Sequence, residues 1–173
     1  MLQIKTLITS MLLVFFLFSQ PVTAAPQEKS VLYGFDGSPQ TLANYAGKDK
    51  WLVVMFWASD CHICGAKAPD YVKFDAKHQD DNMRIIGVSV DGLENKTAAQ
   101  GFIDEHQIKF PNLIGNLEDI AGMYYDMTGD HWLGTPTFFI YEPSGELRIV
   151  QAGITPTELI EEFINNNSVA SAE

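Results

Sequence analysis

The feature that most constrains this chain is a pair of cysteines placed between a buried strand and a helix. Residues 51–57 (Trp-Leu-Val-Val-Met-Phe-Trp) are apolar at every position, which is typical of a central strand covered on both faces. Cys61 and Cys64 follow after a short turn, and from His62 to about His78 the apolar residues recur at helical spacing. The pair therefore lies where a strand ends and a helix begins.

The cysteine count favours a chemical role for this pair over a structural one. The chain has 173 residues and only 2 cysteines. A disulfide that closes so short a loop adds little stability, because the loop-closure term grows with loop length. A cysteine at a helix N-terminus faces unpaired N–H groups and the positive end of the helix dipole, which favour its thiolate. We expect Cys61 to attack a substrate and Cys64, one turn inward, to resolve the mixed disulfide.

The first 24 residues are typical of an export signal. They carry one charge, Lys5, followed by the apolar run Leu7–Phe18 and a small-residue pattern that ends at Ala24. The apolar run is shorter than the ~20 residues that a membrane span requires, and an uncleaved anchor is the alternative. We predict a signal peptide at 1–24, a mature domain at 25–173 and an exported, periplasmic or otherwise extracytoplasmic protein.

Strand and helix patterns alternate through the rest of the mature chain. Pro69 is predicted to kink the helix that follows the cysteines. The further elements are predicted as a strand at 83–90, a helix at 95–106, an extended piece at 112–114, a helix from 117 to about 124, and a hairpin of 137–141 and 147–152.

The end of the chain predicts one more helix. Thr155 is expected to be its N-cap, with Pro156 at the first helical position and Glu158 completing a capping box. The helix is expected to end near Asn165, and the polar tail 166–173 to be frayed. The alternation predicts a single domain with a core at about 31–165 and a mixed sheet in an α/β sandwich.

The charge balance excludes some classes of partner. Lys and Arg total 11 against 22 Asp and Glu, a formal net charge of −11. Nucleic acids and anionic membrane surfaces are bound through clustered basic residues, so we expect neither as a partner. We also expect a monomer with no metal and no cofactor other than the redox-active disulfide.

Two motifs, in the same order along the chain, resemble signatures of the thioredoxin superfamily. Residues 57–64 (Trp-Ala-Ser-Asp-Cys-His-Ile-Cys), followed by Pro69, resemble its active-site segment. Residues 134–140 (Gly-Thr-Pro-Thr-Phe-Phe-Ile) resemble its second signature, in which the proline is cis and faces the cysteines. The long stretch between the motifs, and the segment 36–42, are similar to the TlpA/ResA group of exported proteins.

This resemblance covers about 31–165 and implies both a fold and an activity. The fold is a thioredoxin-like three-layer sandwich: a mixed central sheet with helices on both faces and an extra central βα insertion. The activity is thiol–disulfide exchange with exported protein substrates, with a membrane redox carrier for recycling and the direction of electron flow left open. The resemblance also implies that Thr135 contacts substrate and that Pro136 guards the site. Ile63 and Trp57 are predicted to border the substrate as well, with Trp57 a core and rim aromatic under the motif.

Residues beside the cysteines are predicted to tune the pair. His62 can stabilise the Cys61 thiolate, and Asp60 opposes it. By resemblance, a carboxylate is common at the positions held here by Met55 and Lys67; both are absent, and Lys67 favours nearby thiolates. We therefore expect a pair that is less reducing than thioredoxin.

Three alternative functions would each require residues in a different pattern. A peroxiredoxin requires a Pro and a Thr or Ser upstream of its reactive cysteine, where this chain has Val54 and Ala58. A c-type haem requires a His after the second cysteine, where this chain has Gly65. Copper or zinc handling by Cys61, His62 and Cys64 would use soft ligands, but His78, His106 and His131 have no ligand spacing relative to them.

Overall fold

The computed structural model describes residues 31–169, which form one seven-stranded mixed sheet with helices on both faces. The predicted signal peptide and residues 170–173 lie outside the described residues. The strands are β1 (Leu32–Gly34), β2 (Pro39–Gln40), β3 (Trp51–Trp57), β4 (Met83–Ser89), β5 (Asn112–Ile114), β6 (Thr137–Tyr141) and β7 (Leu147–Ala152). The helices are α1 (His62–His78), α2 (Lys96–Glu105), α3 (Leu117–Thr128) and α4 (Thr157–Val169).

Strand β3 is an interior strand of the sheet and lies between β4 and β6. The sheet order is β2-β1-β5-β4-β3-β6-β7. β3 pairs parallel with β4 along its whole length and antiparallel with β6. All seven of its residues are buried, which explains their uniformly apolar character and confirms the strand predicted from the sequence. Its carboxyl end delivers the chain directly to Cys61.

The two faces of the sheet are covered by different helices. One face packs against apolar residues of α1, α2 and α4, represented by Phe74, Phe102 and Ile164. The other packs against α3 through Ile120 and Tyr124, and against the short 3₁₀ helix Leu42–Asn44. This is the predicted three-layer sandwich, and α2 with β5 is the predicted insertion between β4 and α3. Within residues 31–169, no helix has the length and hydropathy of a membrane span.

Helix α3 is longer than its sequence pattern predicts. Its start is capped by the Asn116 side chain, which accepts a hydrogen bond from the Asp119 N–H at 2.8 Å. It ends four residues beyond Tyr124, where Gly129 adopts a left-handed conformation with φ 77° and donates its N–H to the Tyr125 carbonyl. Such a conformation favours glycine, so Gly129 was the better sequence signal for the helix end.

The predicted N-cap of α4 is wrong. The helix begins at Thr157, and its first N–H bonds reach the carbonyl of Pro156. Thr155 lies before the helix: its buried Oγ1 has no hydrogen-bond partner among the described residues, and its carbonyl accepts the Tyr71 hydroxyl at 2.7 Å. Because the Thr155 hydroxyl makes no hydrogen bond to the helix, no capping box with Glu158 forms. The helix also continues to Val169, so the predicted fraying from 166 is wrong as far as 169.

Candidate active site

Cys61 and Cys64 form a disulfide at the N-terminus of α1. Cys61 is the N-cap residue, its Cα lies 5.2 Å from that of Cys64, and its Sγ lies 3.2 Å from the Cys64 backbone nitrogen, which donates to it. Cys64 is 0% exposed, whereas Cys61 is half-buried. Cys61 is therefore the sulfur that a large substrate can reach, and it lies where the helix N–H groups stabilise a thiolate.

The loop before β6 lies against this disulfide. The Thr135–Pro136 peptide bond is cis, and the Thr135 carbonyl oxygen lies 3.7 Å from Cys61 Sγ. Thr135 is half-buried and Pro136 is buried. The Thr137 hydroxyl donates to the Gly134 carbonyl at 2.6 Å, which closes the turn. The fold thus brings together the two motifs identified in the sequence.

Asp91 holds the turn that precedes Cys61, a role that sequence reasoning missed. Its carboxylate accepts the Ser59 N–H at 3.0 and 3.1 Å, and the Ser59 hydroxyl at 2.8 Å. The Ser89 hydroxyl donates to the same carboxylate at 2.5 Å. Asp91 follows the carboxyl end of β4, which pairs in parallel with β3, so neighbouring parallel strands deliver Asp91 and Ser59 to the same edge. An acidic residue just after a strand was the available signal.

The prediction that Trp57 borders the substrate is wrong. Its side chain is 1% exposed, and its indole ring stacks on Phe102 with centroids 4.5 Å apart. Its Nε1 donates to Asn112 Oδ1 at 3.0 Å. Gly87 leaves room for this hydrogen bond, because a Cβ atom there would lie 2.7 Å from the indole nitrogen. Trp57 is a core residue fixed by the insertion, and it supports the active-site turn from below.

The other predicted tuning residues lie at the surface. His62 and Asp60 are exposed, and Ile63 is 43% exposed between the two cysteines. Lys67 points to its own helix neighbour, with its Nζ 3.3 Å from Asp70 Oδ2. Because Lys67 and Asp70 form an exposed ion pair, solvent weakens any effect of Lys67 on the sulfurs. Its tuning role, like those of His62 and Asp60, stays a prediction.

The buried sulfur lies in apolar surroundings. Cys64 belongs to the core cluster that includes Met55, Ala68, Tyr71 and Phe138. Met55 is 3% exposed on β3 and supplies no carboxylate. Burial raises the pKa of the Tyr71 hydroxyl, so that this group stays neutral while it donates to the Thr155 carbonyl. Apolar burial disfavours a thiolate at Cys64.

The structure also describes the residues that argue against a peroxiredoxin, a c-type haem protein and a metal site. Val54 and Ala58, which stand where a peroxiredoxin needs its Pro and hydroxyl residue, are 0% and 8% exposed. Gly65 follows Cys64 inside α1, where a haem-attachment motif needs histidine. Within residues 31–169, no group of three or more His, Cys, Asp and Glu side chains is arranged to hold a metal ion.

Comparisons with known proteins agree with this fold. Residues 23–150 match the model of the AhpC/TSA family. The chain is 27% identical to the thiol-disulfide oxidoreductase ResA of Oceanobacillus iheyensis over 146 residues, which is 83% of this chain and 70% of that protein.

Solved structures show the same fold. A thiol:disulfide interchange protein of the thioredoxin family from Chlorobium tepidum superposes with a TM-score of 0.63 at 20% identity, covering 77% of this chain and 88% of the other. A secreted Mycobacterium tuberculosis disulfide oxidoreductase gives a TM-score of 0.57 at 23% identity, covering 73% and 88%. The resemblance to thioredoxin-like, ResA-type proteins is confirmed, and the chain belongs to the AhpC/TSA family.

Proposed function

We propose that this protein is a thiol–disulfide oxidoreductase that exchanges disulfides with other exported proteins through Cys61 and Cys64. The observation that carries the proposal is the asymmetry of the pair: one sulfur is reachable at a helix N-terminus, and its partner, one turn inward, is fully buried. A structural disulfide has no need for this arrangement. The relatives named as thiol-disulfide oxidoreductases support the same activity.

The exchange proceeds in two substitutions at sulfur. The Cys61 thiolate attacks a substrate disulfide, forms a mixed disulfide and expels one substrate sulfur as a thiolate. The Cys64 thiolate then attacks Cys61 Sγ, closes the Cys61–Cys64 disulfide and expels the second substrate sulfur. Two electrons pass from the protein to the substrate, and the same steps in reverse oxidise a dithiol.

The substrate binds, in this proposal, beside the turn of Thr135 and Pro136. The Thr135 carbonyl, 3.7 Å from Cys61 Sγ, is placed to position an extended chain whose sulfur meets Cys61. Ile63, 43% exposed, offers an apolar contact on the other side. We place the protein outside the cytoplasm because residues 1–24 are predicted to be an export signal and a structural neighbour is described as secreted. A membrane redox carrier resets the pair after each turnover.

A single-turnover reaction with insulin, a disulfide-bonded protein, tests the activity. The reduced wild-type protein should convert insulin disulfides to thiols in proportion to the oxidation of its own Cys61–Cys64 pair. Alkylation of the free thiols and mass spectrometry measure that oxidation. Cys61→Ser should give no detectable exchange, because the accessible nucleophile is gone. Cys64→Ser is the matched control, since it removes the other sulfur and should still perform the first attack. Equal activity of Cys61→Ser and wild type would refute the proposal.

The peroxidase alternative is tested in the same preparation. Hydrogen peroxide should oxidise the reduced protein far more slowly than a protein disulfide does, because neither Val54 nor Ala58 supplies a polar group beside Cys61. A faster reaction with peroxide than with insulin would favour that alternative.

A further inference from the structure

His106 lies against the start of α1, at the residue after the buried cysteine. A Cβ atom added at Gly65 would lie 2.8 Å from His106 Nε2 and 3.1 Å from Cε1, so the missing side chain of Gly65 provides the space that the imidazole fills. The ring also contacts Phe102, with centroids 4.4 Å apart. Phe102 in turn stacks on Trp57 below the active-site turn. The imidazole is therefore held between α1 and α2, against the residue that follows Cys64.

The imidazole is half-buried and chemically available. Among the described residues, none forms a hydrogen bond or ion pair with its ring nitrogens. His106 is the C-cap of α2, at the end of a helix where cationic side chains are favoured.

The charged groups close to Gly65 and His106 along the chain are exposed or already paired. On α1, His62 is exposed and Lys67 is paired with Asp70. On α2, Asp104 and Glu105 are exposed, and Asp104 accepts a hydrogen bond from Gln100 at 2.9 Å. Lys109, just beyond α2, is exposed. The His106 ring thus lies against Gly65, the residue directly after Cys64.

Cys64 is the group that needs such a neighbour. It is 0% exposed in an apolar cluster, and apolar burial disfavours the thiolate that the second step of exchange requires. A positive charge nearby favours the thiolate by direct attraction, and the attraction is stronger in a half-buried setting than in water.

We propose that protonated His106 stabilises the thiolate of Cys64 and so speeds the step in which Cys64 closes the disulfide. His106 acts through Cys64 as a positioning residue and touches no substrate. In this step the Cys64 thiol gives up its proton and its thiolate attacks Cys61 Sγ. The bond from Cys61 Sγ to the substrate sulfur breaks, and that sulfur leaves with the electron pair; the proton ends on the departed sulfur or on bulk water. The inference rests on the proposed function, because it concerns the resolving half of the same reaction.

The test uses the small aromatic disulfide dithiobis(nitrobenzoate), which releases a coloured thiolate in each of the two substitutions. Mixed with the reduced wild-type protein in a stopped-flow instrument, it should give a fast phase from attack by Cys61 and a second phase from closure by Cys64. The rates of both phases are measured at several pH values from about pH 5.5 to pH 8.5.

Two variants remove the effect in different ways. His106→Gln abolishes the charge and should slow the second phase about tenfold at pH 5.5, which equals about 1.4 kcal/mol of lost stabilisation. The ratio to wild type should shrink towards one as the pH rises to 8.5, because the proposed effect requires a positive charge on the ring. Gly65→Ala keeps the imidazole but pushes it away, and should show the same loss. His62→Gln is the matched control and should change the first phase, with the second keeping its pH profile.

The outcomes separate the two proposals. If wild type releases only one equivalent of coloured thiolate, Cys64 does not resolve and the proposed function fails. If both phases occur but His106→Gln slows the second by the same factor at every pH, or not at all, the role of His106 is refuted while the exchange activity stands. Should His106→Gln lose its fold by circular dichroism, the pH profile of Gly65→Ala decides in the same way.

Discussion

The two ends of helix α1 are built from opposite principles. At its start, a disulfide joins a reachable sulfur to a buried one, and Cys64 has apolar neighbours. At its end, His78 is 6% exposed and both ring nitrogens meet carboxylates: Nδ1 lies 3.0 Å from Asp81, and Nε2 lies 2.9 Å from Glu161. Glu161 also pairs with Lys77 at 2.7 Å. One end leaves its reactive group accessible, and the other satisfies every polar atom of a buried histidine.

The end of α1 therefore contributes to the stability of the fold, whereas its start carries the disulfide exchange. The network at His78 ties α1 to α4 and has no route to the sulfurs, which lie at the opposite end of a helix of 17 residues. The turn at Ser59 and Asp91 ties β3 and β4 together directly before Cys61. Changes at the first network should therefore alter the free energy of unfolding alone, and changes at the second should alter exchange as well.

The largest expected effect on stability comes from His78→Ala. This change leaves Glu161 partly buried without one of its partners and opens a gap beside Phe74, whose ring centroid lies 4.8 Å from the imidazole. We expect a loss of about 2 kcal/mol in the free energy of unfolding, measured by urea titration. The exposed neighbour supplies the control: Lys77→Gln should cost less than about 1 kcal/mol. A fall in the insulin-exchange rate of the folded His78→Ala protein would show that the two ends are coupled.

The next largest expected effect is on the reduction potential of the Cys61–Cys64 pair, which should depend on the start of α1 and not on its end. Since no carboxylate stands at Met55 or Lys67 to oppose thiolate formation, we expect a potential at least about 30 mV above the ~−270 mV of thioredoxin, or about 1.4 kcal/mol. Equilibration with a glutathione redox buffer measures it. His78→Ala should leave this value unchanged, and a wild-type value at or below that of thioredoxin would contradict the expectation.

Asp91→Asn should affect both properties, each to a smaller extent. The substitution removes the charge that accepts hydrogen bonds from Ser59 and Ser89, and we expect about 1 kcal/mol of lost stability. The freed turn should misplace Cys61 and slow insulin exchange about tenfold. Ser89→Ala removes one donor and leaves Ser59 in place, so its exchange rate should stay close to wild type. Equal rates for both variants would remove Asp91 from the account of the site.

The smallest effect is the acid response of the network at α4. Burial opposes the charge on Glu161, but hydrogen bonds and attraction from Lys77 and His78 outweigh it and hold the pKa of Glu161 below its ordinary 4.5. A lowered pKa means that this stabilisation is present above the ordinary value and is lost as the pH falls below it. The oxidised wild-type protein should therefore lose stability more steeply than Glu161→Gln between about pH 5 and pH 3. Parallel curves from thermal unfolding would contradict this.

The sequence predicted the longer strands and the hairpin around the site better than the short strands at the edge of the sheet. β3, β5 and the hairpin of β6 and β7 were predicted within a residue, because continuous apolar runs and turn residues mark them locally. The hairpin of β1 and β2 was not predicted, because strands of 3 and 2 residues carry almost no periodicity. β1 forms by pairing with β5, and β2 by pairing with β1.

The same distinction holds within the site. Cys61, Cys64, Thr135 and Pro136 belong to local motifs that can be read along the chain. Asp91 reaches Ser59 across 32 positions through the pairing of two parallel strands. His106 reaches Gly65 only because an inserted helix ends beside α1. Contacts of this kind depend on the register of strands and the length of α2, which no local pattern specifies.

Trapping the reaction halfway tests the central claim most directly. Reduced Cys64→Ser protein is mixed with a disulfide-bonded protein substrate, and the product is analysed by non-reducing electrophoresis and peptide mapping. The account predicts a stable covalent adduct joined through Cys61, which added dithiothreitol releases and which Cys61→Ser cannot form. A folded Cys64→Ser protein that never forms this adduct, or that forms it through another residue, would contradict the account.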